Sequence, residues 1–447
     1  MPAATGPYIL GIDIGTSGMR AEVFDADVRP VPGLAAKTSR SPGSSPDGGS
    51  FFDAEKHFEE FIALIDRVAA AAAKRGIEID AVGWCAFWHG IVGVDEVGKP
   101  TTQLLTWADR RSREFTPQLK DRFDEAETHR RTGAHFHSSF WPAKLLWFRE
   151  RHADAWRRTA RWCSFSDMIA TRIFGECVTS ISMASATGVF DQRKATWDSE
   201  LLRYLNVKRA SLPRIAADPE TISLNKKYAR RWPALAHAKW LPAIGDGAAD
   251  HLGSCGVSPH TASLMIGTSA AMRIAFEGDV PAEIPEGLWC YRIDGTRVIV
   301  GGALSDGGNL RTKIRKMFHL PKDCEALIAE REPDDNLVVI PFFFGERSTG
   351  YDEDARGAIV GMTAEHDGID VLRAAMEGIA FRLADICERL ETVTEIKTIV
   401  ASSGGLRSSP AWRQITADAL GRDLTINDAD GTSLRGAVRY ARENLMS

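Results

Sequence analysis

The sequence carries one short turn twice, and the residue types of that turn suit phosphate binding. "IGTSGMR" spans Ile14 to Arg20, and a near copy, "IGTSAAMR", spans Ile266 to Arg273. A glycine followed by two hydroxyl residues offers backbone N–H groups and O–H donors to a phosphate without bulky side chains. One such turn alone is more often a plain hairpin, but the duplication favours phosphate binding. We therefore expect two related domains, each giving one turn to a triphosphate.

Three other features add to this chemistry. Gly404 and Gly405 form a third glycine turn, which we expect to hold a nucleoside. Asp246 stands in "GDG", which is either an ordinary Asp-Gly turn or the site of an ionised carboxylate that removes a proton from a hydroxyl. Only the first of the two repeated turns follows an aspartate, Asp13, because Met265 precedes the second. A carboxylate therefore adjoins only the first of the two turns.

Strands and helices must position these turns. "YILGID" predicts a strand over Tyr8–Ile12, and "MRAEVFD" predicts a second strand, so that the two form a hairpin at the edge of a sheet. "DAEKHFEEFIALIDRVAAAAAKRG" has apolar residues at helical spacing after a candidate N-cap, Asp53. "IDAVGWCAF" then predicts another strand. This alternation is typical of α/β proteins.

The second half of the chain repeats this plan. "SLMIGTSAAMRIAF" predicts strand, turn and strand, and "VIVGGALSDGG" and "LVVIPFFFG" predict buried strands. "EIKTIVASSGGLRSSPAWRQITADALGRDLTI" predicts a strand, a glycine turn, a helix with Ser409 as N-cap and Pro410 at its first position, and a strand after Gly421. We place a domain boundary near residue 243, which gives domains 1–243 and 244–447.

Composition narrows the class of protein. The 447 residues are 44% hydrophobic and 26% charged, with a formal net charge of −5, which gives no electrostatic case for nucleic acid or an anionic membrane. The seven cysteines form neither CxxC nor a Cys/His ligand spacing, so we expect reduced thiols. The start "MPAATGPYIL" lacks a basic and an apolar targeting region, and no apolar run reaches the ~18 residues of a membrane span. A cytoplasmic location is the expectation.

Six ordered blocks resemble one known family. They are "GIDIGTSGMRAEVFD", "IGDGAADHLGSCG", "MIGTSAAMR", "GERSTGYDEDARGAIVGMT", "ASSGGLRSSPAWRQITADALG" and "TSLRGA", and they look like the FGGY family of carbohydrate kinases. "WHGIVGVDEVGKPTTQLLTWADRRS", "WPAKLLWFRE", "SISMASATGVFDQR" and "GLWCYR" look most like its gluconokinase group. The resemblance covers about Tyr8 to Ala437. It implies an α/β fold of two ribonuclease-H-like domains, of the actin and sugar kinase type, with a catalytic cleft between them.

The resemblance also implies roles for individual residues. Asp13 resembles the family's magnesium-associated aspartate, and Asp246 matches its catalytic aspartate. The implied ATP-binding residues are Thr16, Ser17 and Arg20 of the first phosphate loop, Gly267 and Thr268 of the second, Gly307 of the connecting turn, and Gly405 with Ser409 of the adenosine turn. ATP and Mg²⁺ are therefore the expected cofactors.

The sugar-binding residues are carried over in the same way. Trp88 and His89 lie where relatives place a Met-His-Gly or Arg-Glu pair against the sugar, and Asp109 of "WADRR" matches a hydroxyl-binding aspartate. Ser139 falls near an aromatic sugar contact of some relatives, and Asp246 also faces the accepting hydroxyl. Trp141 departs from the family signature, which prefers Pro, Ser or Thr at its position.

The expected reaction is phosphoryl transfer from ATP to the terminal hydroxyl of a small-molecule sugar or sugar acid, with gluconate giving 6-phosphogluconate. The alternatives are the same chemistry on a pentulose, xylulose or ribulose, and a non-catalytic ATP-binding module on the same fold. Gluconate carries a carboxylate, for which Lys144, His89, Arg110 and Arg111 are the candidate cationic partners. The family forms monomers and dimers, and a homodimer is the expectation.

Overall fold

The computed structural model describes residues 6–446, so residues 1–5 of the stretch searched for a targeting signal lie outside the described residues. The strands are β1 (Ile9–Gly15), β2 (Gly18–Phe24), β3 (Pro30–Lys37), β4 (Gly43–Ser44), β5 (Ser50–Phe52), β6 (Ala81–Ala86), β7 (Val92–Val94), β8 (Leu104–Leu105), β9 (Arg161–Cys163), β10 (Val178–Thr179), β11 (Phe190–Asp191), β12 (Thr196–Trp197), β13 (Arg214–Ile215), β14 (Lys239–Trp240), β15 (Ile244–Gly245), β16 (Ser258–Ile266), β17 (Ala270–Glu277), β18 (Trp289–Arg292), β19 (Arg297–Leu304), β20 (Val338–Ile340), β21 (Ala358–Val360), β22 (Thr398–Ser402) and β23 (Leu424–Ile426).

Helices alternate with these strands. The α-helices are α1 (Ala54–Lys74), α2 (Thr116–Arg122), α3 (Glu125–Thr132), α4 (Trp141–Arg151), α5 (Ala153–Arg158), α6 (Phe165–Ile173), α7 (Ile181–Ser185), α8 (Ser199–Leu205), α9 (Lys226–Arg231), α10 (Asp246–Ser254), α11 (Gly308–Met317), α12 (Glu325–Glu330), α13 (Gly368–Glu391), α14 (Gly404–Ser408), α15 (Pro410–Leu420) and α16 (Thr432–Leu445). Short 3₁₀ helices cover Arg111–Phe115, Arg209–Ser211 and Pro233–Leu235.

The chain forms two compact units. The first contains the described residues up to Gly253, the segment Tyr291–Val298 and the residues from Gly431 onward. The second contains Ser254–Cys290 and Ile299–Asp430. Helix α16 therefore belongs to the first unit. The boundary near residue 243 stays a prediction.

The central sheet of the first unit has the strand order β14-β6-β1-β2-β3, with β15 also paired to β6. β1 runs antiparallel to β2 and parallel to β6, and β15 runs parallel to β6. The predicted hairpin is therefore confirmed, but its predicted place at a sheet edge is wrong, because β3 and β6 flank it. Four apolar side chains of β1 are fully buried (Ile9, Leu10, Ile12, Ile14), as expected of a strand covered on both faces.

Two long helices cover this sheet. The predicted helix α1 is confirmed, with the Asp53 side chain accepting the N–H of Lys56 at 3.1 Å as its N-cap, and it packs against β2 and β3. α16 packs against β1 and β6. Glycines make this close approach possible, because a Cβ at Gly11 would lie 2.6 Å from Val438, and one at Gly83 would overlap the carbonyl of Ala437.

The sheet of the second unit repeats the arrangement of the first. Its order is β18-β19-β17-β16-β22-β23, and β16 runs antiparallel to β17 and parallel to β22. The predicted strand–turn–strand at "SLMIGTSAAMRIAF" is therefore confirmed. The predicted turn at Gly404-Gly405 is instead the first turn of α14. The prediction of a buried strand at "LVVIPFFFG" is wrong, because β20 is short and leaves Val338 and Ile340 48% and 37% exposed, with only Val339 between them turned inward.

Candidate active site

Three parallel strands of the first unit end side by side and bring the predicted catalytic and metal-binding aspartates to one edge of the sheet. In the strand register, Asp13 of β1 and Ile244 of β15 both lie opposite Cys85 of β6. Asp246 follows β15 directly and is the first residue of α10. The carboxyl ends of parallel strands are where α/β sheets bind ligands. The pairing thus places Asp13 and Asp246 at such an edge.

Asp246 is held by two backbone N–H groups. Its Oδ1 accepts the N–H of Gly247 at 2.8 Å and the N–H of Trp88 at 3.3 Å. The carboxylate is half-buried, although the residues on either side of it are buried. A carboxylate bound by N–H donors keeps its charge and its orientation.

Trp88 fixes the local backbone around Asp246. A Cβ placed on Gly245 or Gly247 would overlap the Trp88 ring, so both glycines allow the indole to lie against the "GDG" segment. The indole Nε1–H donates to the carbonyl of Ser182 at 3.1 Å, which holds the ring in place. Trp88 itself is buried. These contacts therefore support the backbone that carries Asp246.

Asp13 lies in a cluster of negative charge. The Cys85 thiol donates to Asp13 Oδ1 at 3.5 Å. Burial raises the pKa of Asp13 to about 6, Arg20 and the thiol oppose the rise, and the charge of Asp250 adds to it. Burial and the charges of Asp13, Asp246 and Asp250 raise the pKa of the Cys85 thiol well above its ordinary value. The charges of three carboxylates therefore act on one buried thiol, which contacts Asp13 directly.

This cluster fits a Mg²⁺ ion held partly by protein and partly by other oxygens. Mg²⁺ prefers oxygen ligands and commonly takes one or two carboxylates, with water and substrate phosphates completing its shell. Asp13 supplies such a carboxylate, and a divalent cation would offset the repulsion between Asp13 and Asp250. Within residues 6–446, no three His, Cys, Asp or Glu side chains form a ready-made metal cage. The donor set thus suits an ion that arrives with ATP.

The first predicted phosphate loop is the turn between β1 and β2. Ser17 and Arg20 are exposed and Thr16 is half-buried, so their side chains reach solvent. The Ser17 carbonyl accepts the N–H of Arg40 at 3.1 Å, which ties the turn to the segment after β3. Arg20 lies opposite Asp13 in the β1–β2 register. The side chains of Ser17 and Arg20 are therefore accessible to solvent, and the backbone of the loop is anchored by Arg40.

In the second unit, the structure brings Gly267, Thr268 and Gly307 together. The N–H of Gly308 donates to the carbonyl of Gly267 at 2.8 Å, and the N–H of Asn309 donates to that of Thr268 at 3.1 Å. A Cβ on Gly307 would lie 2.7 Å from the backbone of Ser269, so the start of α11 rests directly on the loop. The hydroxyl-bearing Thr268 is exposed.

The predicted adenosine residues lie further along the same sheet edge. A Cβ on Gly405 would overlap the carbonyl of Ile266, so the start of α14 adjoins the strand that leads into the second loop. Ser409 is one helix further on and fully buried. Its hydroxyl donates to Glu325 Oε1 at 2.8 Å and accepts the N–H of Trp412 at 3.2 Å. Ser409 is thus the predicted N-cap, and a direct nucleotide contact through its hydroxyl stays a prediction.

The predicted sugar residues fall into two kinds. His89 is half-buried, and its Nδ1 lies 2.6 Å from the Ala186 carbonyl, which fixes the proton on Nδ1 because a carbonyl only accepts. Asp109 and Ser139 are buried. Asp109 accepts the N–H of Ser50 at 2.8 Å, and Ser139 bonds to His137 Nδ1 through its N–H at 3.1 Å. Only His89 is partly exposed among these three.

The structure also shows which groups contact the candidate cations for a substrate carboxylate. Arg111 pairs with Asp109 at 2.8 Å, and its guanidinium lies about 5 Å from the rings of Phe51 and Trp147. Lys144 is fully buried and donates to three backbone carbonyls. The backbone N–H of Arg110 donates to the carbonyl of Gly48 at 2.9 Å. Arg111 and Lys144 are therefore committed to contacts within the protein.

Sequence reasoning missed Tyr291. This buried residue belongs to the first unit, and its ring meets Trp88 edge-on at 5.2 Å and His89 at 5.8 Å between ring centroids. It lies in "GLWCYR", which carried part of the family resemblance, and that motif was the available signal. Tyr291 thus completes an aromatic cluster beside Asp246.

Both halves of the sequence match the domain models of one protein family. The N-terminal domain of the FGGY family of carbohydrate kinases matches residues 8–249, and its C-terminal domain matches residues 262–442. The chain belongs to the FGGY family of carbohydrate kinases. The family and the two-domain α/β fold expected from the sequence are thereby confirmed, and membership implies ATP as the phosphoryl donor.

Individual relatives include kinases of gluconate, xylulose and glycerol. A gluconokinase from Bacillus subtilis (strain 168) is 26% identical over 96% of this chain and 86% of its own length, and a xylulose kinase from Escherichia coli (strain K12) is 25% identical over 97% and 89%. A ligand-bound xylulose kinase and a gluconate kinase, both from Lactobacillus acidophilus, have TM-scores of 0.88 and 0.87, and each is 26% identical over 98% of this chain and 89% of its own. These relatives support a sugar kinase and are about equally similar to this chain whether they act on gluconate or on xylulose.

Among residues 6–446, no helix combines the length and the apolar character that crossing a bilayer requires.

Proposed function

We propose that this protein is an ATP-dependent gluconate kinase that phosphorylates the terminal hydroxyl of its substrate. The observation that carries the proposal is the half-buried carboxylate of Asp246, held at the end of β15 by the N–H groups of Trp88 and Gly247. Phosphoryl transfer to an alcohol needs the acceptor oxygen in line with phosphorus and a group that takes its proton. An oriented, ionised carboxylate meets the second need.

Asp246 is the proposed general base. It accepts a hydrogen bond from the terminal hydroxyl and takes the proton as the bond between oxygen and phosphorus forms. A base of this kind contributes about 10²–10⁴-fold to the rate. Trp88 then has a supporting role, because its ring and its N–H fix the backbone and the carboxylate of residue 246.

Asp13 is the proposed protein contact of Mg²⁺. The ion, when bound, would neutralise charge on the transferred phosphoryl group. The carboxylate of Asp13 suits this role because the charge of Asp250 and burial disfavour its ionised form until a cation compensates. In the first unit, the half-buried Thr16 and the exposed Ser17 and Arg20 would provide donors for phosphate.

The second unit supplies the remaining nucleotide-binding residues of the proposal. The exposed hydroxyl of Thr268 and the backbone of Gly267 and Gly307 would bind phosphate oxygens. Gly405 would place the start of α14 beside the adenosine, since only a residue without a side chain can pack there against the Ile266 carbonyl. Ser409 would act by fixing the start of α15.

His89 is the proposed substrate contact for the gluconate carboxylate. Its Nδ1–H is used by Ala186, so contact with the substrate goes through Nε2, which accepts from a hydroxyl when the ring is neutral and donates to a carboxylate when it is charged. Ser139, Asp109 and Trp88 are proposed to shape the same pocket. The full burial of Lys144 and the pairing of Arg111 with Asp109 disfavour these two residues as partners of a substrate carboxylate.

The second candidate substrate is a pentulose. It is favoured by the xylulose kinase with a TM-score of 0.88. A neutral pentulose would use His89 as an acceptor and would need no cation. A homodimer and a cytoplasmic location stay predictions.

The test is ADP release with gluconate, xylulose, ribulose, glycerol or no sugar, with the phosphorylated product identified by mass. The proposal predicts turnover that depends strongly on gluconate. Turnover with a pentulose alone would favour the second candidate, and turnover independent of sugar would indicate a nucleotide-binding module without kinase activity.

A further inference from the structure

Lys144 is a buried lysine near the start of α4. Its exposed fraction is 0%. Its Nζ donates to the backbone carbonyls of Ser139 at 2.7 Å, Thr106 at 2.8 Å and His89 at 3.2 Å. An ammonium group has three N–H donors, so the number of carbonyls equals the number of donors. Lys144 thus ties together three segments that are distant in the sequence.

Each of these segments carries one residue of the proposed sugar pocket. The segment at residue 89 contributes His89 itself, and the segment at residue 139 contributes Ser139. The segment at residue 106 contributes Asp109, whose N–H donates at 3.3 Å to the same Thr106 carbonyl that Lys144 binds. The ammonium therefore binds the backbone at or next to all three polar residues.

The cost of burying unpaired polar groups favours keeping the Lys144 ammonium bonded to these carbonyls. A buried charge is tolerated only where its donors are bonded, and buried carbonyls need donors in turn. His89 also has a φ of +65°, a conformation that residues other than glycine rarely adopt and that persists where surrounding bonds enforce it. The bond from Lys144 to the His89 carbonyl and the bond from His89 Nδ1 to Ala186 hold this residue from both sides.

We infer that Lys144 is a positioning residue, whose ammonium fixes the backbone of His89, Asp109 and Ser139 relative to one another and leaves contact with the substrate to them. The consequence for sugar binding depends on the proposed function, whereas the backbone clamp is a property of the free protein. Removing the ammonium should therefore impair use of the sugar much more than use of ATP.

The first experiment tests the clamp without any substrate. Lys144→Met keeps the unbranched side chain as far as Cε and removes its donors. Hydrogen exchange of the intact protein, followed by mass spectrometry, should be at least tenfold faster in peptides around residues 89, 106 and 139. Peptides from β16 and β17 should be unchanged. The control is Leu145→Ala, which opens a cavity one residue along the same helix and leaves the three carbonyl contacts in place.

The second experiment tests the consequence for catalysis with the sugar that wild type phosphorylates. Lys144→Met should raise KM for the sugar at least tenfold and change KM for ATP less than twofold. Leu145→Ala should lower the melting temperature without this selective change. Lys144→Gln, which keeps two donors, should be intermediate, and it carries both measurements if Lys144→Met does not fold.

The outcomes separate the two proposals. Exchange that is unchanged, or faster everywhere, in the variant overturns the clamp, and so do KM values for sugar and ATP that rise together. If wild type phosphorylates none of the sugars, the proposed function fails, and the exchange experiment still decides the clamp.

Discussion

The backbone N–H of Trp88 donates a hydrogen bond to Oδ1 of Asp246 over 3.3 Å, although the two residues are 158 positions apart in the chain. The bond joins the end of β6 to the start of α10. It explains why an aspartate in an Asp-Gly sequence, which could be a simple turn, has a fixed carboxylate here.

Asp246→Asn should lower kcat by at least ~10²-fold, because the amide keeps the shape of the side chain but cannot take a proton. ATP should still raise the melting temperature of the variant as it does for wild type. Steady-state kinetics and thermal shift measure the two effects. The control is Asp27→Asn, an exposed carboxylate between β2 and β3, and an active Asp246→Asn enzyme would exclude the proposed base.

Gly247→Ala should reduce kcat without altering the nucleotide-binding residues, because the new methyl group would overlap the Trp88 ring and displace either the ring or Asp246. We expect a loss of at least tenfold. Gly295→Ala is the matched control, since its added Cβ would meet its nearest neighbour at an ordinary 3.5 Å. Equal activity of the two variants would mean that the contact between Trp88 and Gly247 does not position the base.

Thr268→Val should weaken use of ATP more than use of the sugar, because it removes an exposed hydroxyl from the second loop and keeps the β-branched shape. KM for ATP should rise several-fold while KM for the sugar stays within about twofold. Thr261→Val, on the same strand β16 but away from the loop, should leave both values unchanged. The reverse order for Thr268→Val would contradict its role in phosphate binding.

Asp13→Asn should raise the Mg²⁺ concentration needed for half-maximal activity by ~10-fold or more, because the proposed site loses a carboxylate ligand. A titration of activity with Mg²⁺ at saturating ATP measures the shift. Asp95→Asn, in a turn remote from β1, serves as the control. A lower kcat with an unchanged Mg²⁺ requirement would assign Asp13 a role other than contact with the ion.

His57→Phe should make the protein less sensitive to acid. His57 is buried and stacked on Phe52, and burial, with a smaller contribution from Arg40, lowers its pKa to about 3. The unfolded chain gains this proton near pH 6.5, whereas the folded protein gains it only near pH 3. The free energy of unfolding should therefore fall as the pH drops through this range, by up to about 1.4 kcal/mol per pH unit.

The variant should have a shallower dependence of unfolding free energy on pH between about 6.5 and 3. Urea unfolding at several pH values measures it. The slope, and not the absolute stability, is the decisive quantity, because Phe also changes the packing. Identical slopes in both proteins would show that His57 does not contribute to acid sensitivity.

Local patterns in the sequence were sufficient for much of the fold. The caps at Asp53 and Ser409 and both hairpin turns follow from neighbouring residues, so they could be predicted. The exposure of β20 could not, because an apolar run does not reveal that a strand pairs within a two-stranded sheet. The place of β1 inside its sheet likewise depends on pairing with β6, far along the chain.

The site was predictable where a family motif named a residue, and less so where distant segments meet. Asp246 and Asp13 stood out through their motifs, and the strand register then placed both at one sheet edge. The contact of Tyr291 with Trp88 and the three carbonyls around Lys144 involve segments that no periodicity connects. Lys144 looked like a ligand for a carboxylate because its charge is visible in the sequence and its burial is not.

Helix α16 covers one face of the sheet that contains β1. This has a consequence for synthesis on the ribosome. Gly11 and Gly83, on which α16 rests, are made early, whereas the helix that covers them is made only after the whole second unit. About 200 residues separate the end of β15, the last strand of the sheet, from the end of α16. At about 5–20 residues per second, their synthesis takes roughly ten to forty seconds. During that time the nascent chain exposes an apolar surface, so chaperone binding should be strongest before residue 445 emerges.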